Sequence, residues 1–483
     1  MFFQNKIYIR FTSFFMLFMF FFSVTPQATA SSLFGDFTVK DEIKLGKEFD
    51  KMVHSRLPVV LDPQITDYVK DLVARVAKQM PPQPFPITAA VIQNNSMNAF
   101  AVPGGYIYIY TGLLLNLKHE SELAAVIGHE LAHVSLRHVA RRMEKMQLVN
   151  IASMLGTLAG MMIGMSGGGN SASIGQALAM GSMAGAQSAY LSYTQENERE
   201  ADHLGMNYLI KAGFNPTSMV DSFKAMKQRQ WYVSNTNIPT YLSTHPGLDA
   251  RIDYLNERFR RMPPEYFRRQ NDDAKFYKIK TLIRARMTDP EVAIAHYNNI
   301  PENKRTCLDH LGQGIILSRM KKNVEAEAAF EQARQECPGE TLILRELGRF
   351  YFTIGKMDKA SPLLREAYMR DPQDAMTLFF IARVEGSRKN YKQAILTMRK
   401  VAEMVPKDQE IHYHLGRMLG ESGNYFEAHV QLAYAALYGR TPKQATFHLK
   451  KAEGLAKTPE QKKELRKLQE IITPPPPDGA DKK

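Results

Sequence analysis

His129-Glu130-Leu131-Ala132-His133 is an H-E-x-x-H motif, which on a helix places two imidazoles one turn apart with a carboxylate beside them. Both imidazoles can then bind one tetrahedral Zn²⁺, and Glu130 can take a proton from a water that the metal activates. Five residues can also match this pattern by chance, so an ordinary buried helix is the alternative. The flanking sequence has to discriminate between the two.

The flanks predict a helix over 120–145, because this stretch contains no proline and Gly128 is its only weak helix former. One apolar stripe at helical spacing predicts the buried face, and the histidines fall on a neighbouring face. The helix can therefore pack against a core and still present both imidazoles. The stripe consists of Leu123, Ile127, Leu131 and Val134.

Upstream of the motif, the sequence predicts two helices and then a small sheet. Helical periodicity covers 41–49 and 65–73, and strands are predicted at 87–92 and 106–110. Between these strands, proline and paired glycines favour an edge strand that ends in a turn. Such an edge can hold an extended peptide through main-chain hydrogen bonds, although an ordinary hairpin fits equally well. The candidate substrate edge is Asn98, Ala99, Phe100 and Ala101.

A catalytic zinc needs a third protein ligand, and a second acidic helix downstream offers one. Glu198 and Asp202 lie four residues apart and therefore share one helix face. We expect Glu198 to ligate the metal, while Asp202 orients a histidine ligand or acts on the reacting group. Glu200 is a weaker candidate, because it should face away from Glu198. Acidic residues at a helix start can also be merely solvated.

This combination of H-E-x-x-H with a later E-x-x-x-D resembles the M48 metallopeptidases. The similarity extends to the Asn98 to Gly105 stretch and to Ser243-Thr244-His245-Pro246 with Arg251. The resemblance implies a zincin-type fold and one Zn²⁺ per chain, bound by His129, His133 and Glu198. It also implies that Glu130 is the general base and that Asp202 fills the second acidic position.

Two other histidines need separate interpretations. His245 can be a fourth metal ligand, an oxyanion donor or a substrate contact, but as part of a T-H-P turn it needs no catalytic role. His138 is interpreted as a surface or supporting residue and is left out of the predicted site.

The segment 148–189 is rich in Gly, Ala and Met, with small residues at four-residue spacing. Such spacing favours a helix pressed closely against another one. We interpret the segment as a buried helix followed by a mobile loop over the active site. A hairpin that dips into a membrane is the alternative.

After about residue 270 a 34-residue period appears, which is typical of tetratricopeptide repeats. Ala326, Ala360, Ala394 and Ala428 recur at this interval, and prolines close three of the units. The predicted organisation is a protease domain at 31–270, a helical connector at 271–306, four repeats at 307–440, a closing helix pair at 441–472 and a disordered proline-rich tail at 473–483.

Cys307 and Cys337 are the only cysteines. They fall at the same end of the first predicted helix pair, so a disulfide is geometrically plausible. Two free buried thiols are the alternative. Neither cysteine has the sequence context of a nucleophile or a zinc ligand.

The N-terminus predicts export. Lys6 and Arg10 precede an apolar run, and Ala28-Thr29-Ala30 follows it, which is the order of a signal peptide at 1–30. An uncleaved anchor is the alternative, although the run is short for a spanning helix. The formal net charge is +13, but Lys and Arg are scattered among acids. We therefore expect no nucleic-acid partner and at most peripheral membrane contact.

The sequence thus predicts an α+β, mainly α protein, with a small sheet in a metalloprotease domain and an α-solenoid behind it. The order of segments resembles exported bacterial M48 proteases. That resemblance implies a periplasmic zinc endopeptidase that degrades misfolded or stalled outer-membrane proteins and works, through its repeats, with the outer-membrane β-barrel assembly machinery. The alternative is mainly a chaperone or assembly adaptor with a repressed zinc site. A membrane-integral prenyl-peptide protease is disfavoured, because a set of spanning helices is missing.

Overall fold

The computed structural model describes residues 37–145, 155–156, 193–232, 241 and 244–472. The predicted signal at 1–30, nearly all of the glycine-rich segment 148–189 and the tail at 473–483 lie outside the described residues.

The chain begins with two helices and a three-stranded sheet. Thr38 and Asp41 form a capping box at the start of the first helix, and Asp62 with Pro63 starts the second. Both predicted helices are therefore confirmed, with longer bounds. The elements are α1 (Val39–Arg56), α2 (Pro63–Ala77), β1 (Thr88–Ile92), β2 (Ala99–Val102), β3 (Tyr106–Tyr110) and α3 (Thr111–Asn116).

The sheet has the order β1-β3-β2, with β3 parallel to β1 and antiparallel to β2. Gly104 and Gly105 form the turn between β2 and β3 at φ values of +86° and +87°, which glycine adopts without a Cβ clash. In the described residues β2 pairs only with β3, so the predicted edge strand is confirmed.

The helix with the H-E-x-x-H motif ends earlier than predicted. It covers α4 (Glu120–Ser135), and a second helix, α5 (His138–Lys145), follows. Arg137 lies between them with φ +53°, a left-handed conformation that ends a helix although no glycine or proline is present. The prediction of one helix over 120–145 was therefore wrong. The break brings His138 back toward His133, where their Nδ1 atoms are 2.9 Å apart.

The second acidic helix, α6 (Gln195–Lys211), packs directly on α4. Gly128 and Gly205 lie at the crossing, where a Cβ on Gly205 would lie 2.8 Å from the backbone oxygen of Gly128 and 2.9 Å from the Cα of His129. Only two glycines allow this backbone approach. The pair therefore sets how close the ligands on the two helices can come.

Helices complete the protease part and lead to the repeats. They are α7 (Thr217–Tyr232), α8 (Leu248–Phe259), a 3₁₀ turn (Pro264–Arg268), α9 (Ala274–Met287), α10 (Pro290–Asn298) and a 3₁₀ turn (Glu302–Lys304).

A buried ion network then joins the two parts of the chain. Arg286 on α9 contacts Asp62 before α2 and Glu346 in the repeats, and Arg345 donates to Gln64 at 2.7 Å.

The repeat region consists of antiparallel helix pairs, which confirms the predicted mainly helical fold with an α-solenoid. Small residues face the partner helix of each pair: a Cβ on Gly348 would lie 2.8 Å from Leu364. The pairs are α11 (Cys307–Arg319) with α12 (Asn323–Glu336), α13 (Thr341–Thr353) with α14 (Met357–Arg370), α15 (Ala375–Ser387) with α16 (Tyr391–Met404), α17 (Gln409–Glu421) with α18 (Tyr425–Tyr438), and finally α19 (Pro442–Glu453) with α20 (Pro459–Ile472).

The cysteine pair and the membrane-spanning character of the helices were also subjects of sequence predictions. Cys307 and Cys337 are paired, with Cα atoms 6.0 Å apart. Within the described ranges, none of the helices combines the length and the apolar character that crossing a bilayer requires.

Candidate metal centre

Four buried side chains converge where α4 crosses α6. His129 and His133 project from α4, Glu198 from α6 and His245 from the segment before α8, and one ligand atom of each lies within 4.8 Å of all the others. His129, Glu198, His133 and His245 are at most 1% exposed. The structure thus brings together the three predicted metal ligands and the predicted fourth candidate.

The distances between these atoms fit one tetrahedral zinc ion. Two ligands at a Zn–N distance of 2.0–2.1 Å lie about 3.3 Å apart at a tetrahedral ion. The Nε2 atoms of His129 and His133 are 3.0 Å apart, and Glu198 lies 3.5 Å and 3.4 Å from them. Imidazole nitrogens with a carboxylate are a donor set that zinc prefers. The centre therefore fits Zn²⁺, the metal expected from the sequence.

Glu130 lies beside this cluster and is fully buried. Its Oε2 accepts a hydrogen bond from the N–H of Ala101 on β2 at 3.1 Å, whereas no hydrogen-bond partner of its Oε1 occurs among the described residues. Burial raises the pKa of this carboxyl, although His245 and His129 oppose the shift. One fixed oxygen and one free oxygen with a raised pKa suit a group that accepts a proton.

Asp202 lies behind the cluster and not in it. Its Oδ1 is 2.8 Å from Nδ1 of His129, the ring nitrogen opposite the ligand atom. Burial would raise the pKa of Asp202, but Arg251 and His129 outweigh it, and the pKa falls to about 2. A charged carboxylate on the outer nitrogen fixes the tautomer and orientation of a metal-binding histidine. Of the two roles predicted for Asp202, this geometry matches the first.

Arg251 is a further part of the centre that the sequence did not single out as a site residue. Its guanidinium donates to both oxygens of Asp202 at 2.8 Å and 2.7 Å and also contacts Glu198. It is 3% exposed, and its guanidinium carbon lies 4.2 Å from the centroid of the Phe223 ring. One buried cation thus balances two buried carboxylates, which would otherwise repel each other.

His245 occupies the space between the ligands and Glu130. Its Nδ1 lies 3.0 Å from Glu198 and 3.3 Å from Nε2 of His129, and its Nε2 lies 3.5 Å from Glu130. Tyr241 stacks on its ring with centroids 4.3 Å apart. A catalytic zinc keeps one position open for water or substrate, and here an imidazole fills that space.

His138 lies beside the metal ligands and outside their cluster, so of its two predicted roles the supporting one matches the structure and the surface one does not. It is 4% exposed and lies 2.9 Å from His133, and its Nε2 lies 3.1 Å from Glu200. Glu200 faces away from the cluster, as expected, and its carboxylate contacts His138 instead. Tyr193 stacks on His133 with centroids 3.8 Å apart. The positive φ of Arg137, which no sequence pattern reveals, creates this arrangement.

The predicted substrate edge lies next to the centre. The N–H of Ala101 points at Glu130 and not into the sheet, so the free side of β2 faces α4. The Asn98 side chain is fully buried, and among the described residues neither its Oδ1 nor its Nδ2 has a hydrogen-bond partner. Phe100 instead packs on Tyr108 and Phe49. Buried amides without partners are rare, so Asn98 is an unusual residue at this edge.

Comparisons with known proteins agree with this geometry. The sequence pattern described as "Peptidase family M48" matches residues 61–259. The chain is 26% identical to the "Beta-barrel assembly-enhancing protease" of Yersinia pestis over 77% of its own length and 75% of that protein. It is 30% identical to the "Putative beta-barrel assembly-enhancing protease" of Vibrio cholerae over 70% of its own length, and the match spans 62% of that relative, less than two thirds.

Among solved structures, a tetratricopeptide-repeat protein called YrrB is similar at a TM-score of 0.29 and 20% identity, over 37% of this chain and 92% of that one. The matched range 61–259 contains all four converging ligands, Glu130 and Asp202. The matched range therefore carries the whole candidate metal centre and is similar to peptidase family M48, and helical repeats follow it in the same chain.

Proposed function

We propose that this chain is a zinc-dependent endopeptidase, with His129, His133 and Glu198 as metal ligands and Glu130 as general base. When bound, zinc supplies a Lewis acid that polarises a peptide carbonyl and lowers the pKa of water. The observation that carries the proposal is the convergence of three buried ligands at tetrahedral spacing with a free carboxylate oxygen beside them. A purely structural zinc site would not need that carboxylate.

In this proposal Glu130 accepts the proton of the attacking water and passes it to the leaving amine. The N–H of Ala101 holds one carboxylate oxygen in place during both transfers. Asp202 acts as a positioning residue, because it holds His129, and Arg251 keeps both carboxylates charged. Its raised pKa makes the Glu130 carboxylate a stronger proton acceptor.

We further propose that substrates bind as an extended strand along the free side of β2. Main-chain hydrogen bonds from such a strand do not depend on side chains, which suits an enzyme that cuts unfolded proteins of varied sequence. The unpaired amide of Asn98 supports this, because it offers both a donor and an acceptor to a peptide backbone. Ala99, Phe100 and Ala101 complete the edge.

We propose that His245 is the fourth metal ligand of a closed resting state and leaves when substrate enters. Its Nδ1 lies 3.0 Å from Glu198 and its Nε2 lies 3.5 Å from Glu130, so its imidazole lies between the residues that would hold the metal and the base. Any peptide carbonyl has to displace it.

The names of the relatives connect those proteins to β-barrel assembly. On that ground we propose that this chain acts in the periplasm, degrades misfolded or stalled outer-membrane proteins, and meets the outer-membrane assembly machinery through its repeats. The apolar N-terminus expected to act as an export signal supports this location. The pairing of Cys307 with Cys337 supports it as well, because disulfides persist in oxidising compartments.

A chaperone or assembly adaptor is the second candidate, and the observation that favours it is the imidazole in the fourth position. A chain that is closed at rest would bind partners through its repeats without cutting them. The two candidates differ in whether outer-membrane assembly depends on Glu130.

The deciding experiment compares the parent with Glu130→Gln in casein cleavage, in zinc content and in rescue of an outer-membrane assembly defect. Glu196→Gln is the matched control, because Glu196 is exposed on the same helix as Glu198. We expect Glu130→Gln to keep zinc and to lose cleavage by at least about a hundredfold. Unchanged cleavage would contradict the mechanism, and full rescue without cleavage would favour the adaptor.

A further inference from the structure

Three arginines recur in the repeats at the 34-residue period. Arg349, Arg383 and Arg417 occupy the same position in the first helices α13, α15 and α17, each directly after a small residue. The corresponding residue of α11 is Ile315, so the series begins at the second unit. Packing of the helix pairs explains the small residues but requires no arginine beside them.

The arginines lie along one face of the solenoid. The first helix of each unit packs on the first helix of the next, α13 on α15 and α15 on α17. Helices in contact are about 8–10 Å apart, so we expect a similar rise from one arginine to the next. A shallow cavity of about 40 Å³ crosses three of these helices, and its lining includes Phe352, Arg383, His414, Arg417 and the acid Glu421.

Aromatic rings hold two of the three guanidinium groups. Arg383 lies over Phe352 at 4.7 Å and over Phe379 at 5.4 Å, and Arg349 lies over Phe380 at 5.5 Å. Stacking uses the face of a guanidinium and leaves its N–H donors free at the edge. The side chains are thus ordered in advance, which lowers the entropy cost of binding a carboxylate.

The positive charge of this face is only partly neutralised. Arg349 and Arg417 contact acids of their own helices, at 3.6 Å from Glu346 and 3.1 Å from Glu421. In the described part of the chain no carboxylate lies within ion-pair distance of Arg383; Glu410 is the acid that acts on it from farther away. Burial lowers the pKa of the Arg383 guanidinium, and the charges of Arg417 and Arg349 lower it further. Arg383 is half-buried against aromatic rings, and a guanidinium without an ion-pair partner among the described residues favours contact with an anion.

We infer that Arg349, Arg383 and Arg417 form a binding surface for an extended peptide with a carboxylate at every third residue. In a polyproline II conformation, side chains three residues apart share one side and rise about 9 Å, close to the helix spacing. Each carboxylate can then accept two hydrogen bonds from one guanidinium edge. The ring faces between the arginines would contact the intervening apolar residues. The zinc centre takes no part in this recognition.

The inference can be tested by fluorescence anisotropy on the full chain with Glu130→Gln, which separates binding from cleavage. The probe is a labelled peptide of three Glu-Pro-Ala triplets, and its matched control contains Gln-Pro-Ala. We expect the acidic peptide to bind at least about tenfold more tightly and to weaken as salt rises. The acidic peptide is measured with a free and with an amidated C-terminus. Equal binding of the two forms shows that the side-chain carboxylates, and not the terminal one, are recognised.

Arg383→Gln should weaken the acidic peptide about tenfold, because it removes a charged hydrogen-bond donor. Arg370→Gln is the control, since Arg370 is exposed on α14 and pairs with Glu366 there. If Arg383→Gln unfolds at a lower temperature than the parent, Arg417→Gln takes its place, because that side chain is 58% exposed. Three outcomes would overturn the inference. The acidic and the neutral peptide could bind equally, or the acidic peptide could bind the triple variant of Arg349, Arg383 and Arg417 to Gln as tightly as it binds the parent. A single-stranded oligonucleotide could also bind as tightly as the acidic peptide.

Discussion

The metal centre and the repeats use charge in opposite ways. In the centre, carboxylates, imidazoles and Arg251 are buried and each neutralises another, so every group is held by several neighbours. In the repeats most charged side chains lie at the surface and pair with residues one turn away or on the next helix, and the buried pair of Arg345 with Glu346 is an exception. The centre should therefore tolerate little change, whereas the repeats should absorb substitutions one at a time.

The largest difference between the two regions is expected when a glycine in each of them is replaced by alanine. Gly205→Ala places a Cβ against the backbone of α4, which has to move, and we expect a loss of about 1–3 kcal/mol with reduced zinc content. Gly420→Ala is the matched control in α17, because its Cβ would meet only the Ala428 methyl at 3.7 Å. That change should stabilise the helix by about 0.5–1 kcal/mol.

Denaturant midpoints and zinc stoichiometry of both variants check this prediction. The contrast between the two regions fails if Gly205→Ala keeps full zinc content and stability, or if Gly420→Ala is the more damaging change.

Asp202→Asn should have the next largest effect. It keeps the shape but removes the charge that faces His129 and Arg251, so we expect zinc affinity to fall about 10–100-fold. Asp249→Asn is the control, because Asp249 is 75% exposed and pairs only with Lys227. Competition with a zinc chelator measures the affinity, and similar values for the two variants would contradict the positioning role of Asp202.

The sequence revealed the repeats more completely than the metal centre, for a physical reason. Each helix pair repeats the same local packing, so small residues such as Ala360 and Ala394 recur at a fixed interval. The metal ligands also follow local rules, because i, i+4 pairs on α4 and α6 share a face. Those pairs and β2 were therefore predicted correctly, and the candidate ligands lie together as the sequence predicts.

What escaped prediction depends on contacts between distant segments. Arg251 lies 49 residues from Asp202 in the chain, and nothing near either residue records that they meet. His138 reaches His133 only because Arg137 adopts a left-handed conformation, a choice that its side chain does not encode. The glycine at 205 gains meaning only when α6 is placed on α4.

His245→Ala should raise the cleavage of unfolded casein about tenfold while zinc is retained, because it opens a position in a centre that is otherwise complete. The double variant with Glu130→Gln is the control and should be inactive, which ties the gain to the same centre. Lower cleavage in His245→Ala would instead make His245 a catalytic or substrate-binding residue.

The smallest expected effect lies in the repeats and concerns pH. Burial lowers the pKa of His414 to about 4, and the charges of Arg383 and Arg417 contribute to the shift. In the unfolded chain the pKa of a histidine is about 6.5, so at higher pH the imidazole is neutral in both the folded and the unfolded chain. Between pH 6.5 and 4 the unfolded chain takes up the proton first, so stability falls as pH falls. Because His414 is partly exposed, we expect a loss of about 1 kcal/mol.

Thermal unfolding between pH 7 and 4 should therefore change less with pH in His414→Gln than in the parent. Arg383→Gln should produce part of the same change, because it removes one of the cations that disfavour the histidinium. A metal-centre variant such as His245→Ala should leave this pH dependence unaltered if the repeats respond one unit at a time. If it alters the dependence as strongly as His414→Gln does, the buried network at Arg286, Asp62 and Glu346 transmits charge effects between the two regions. The repeats would then share the mutual dependence that distinguishes the centre.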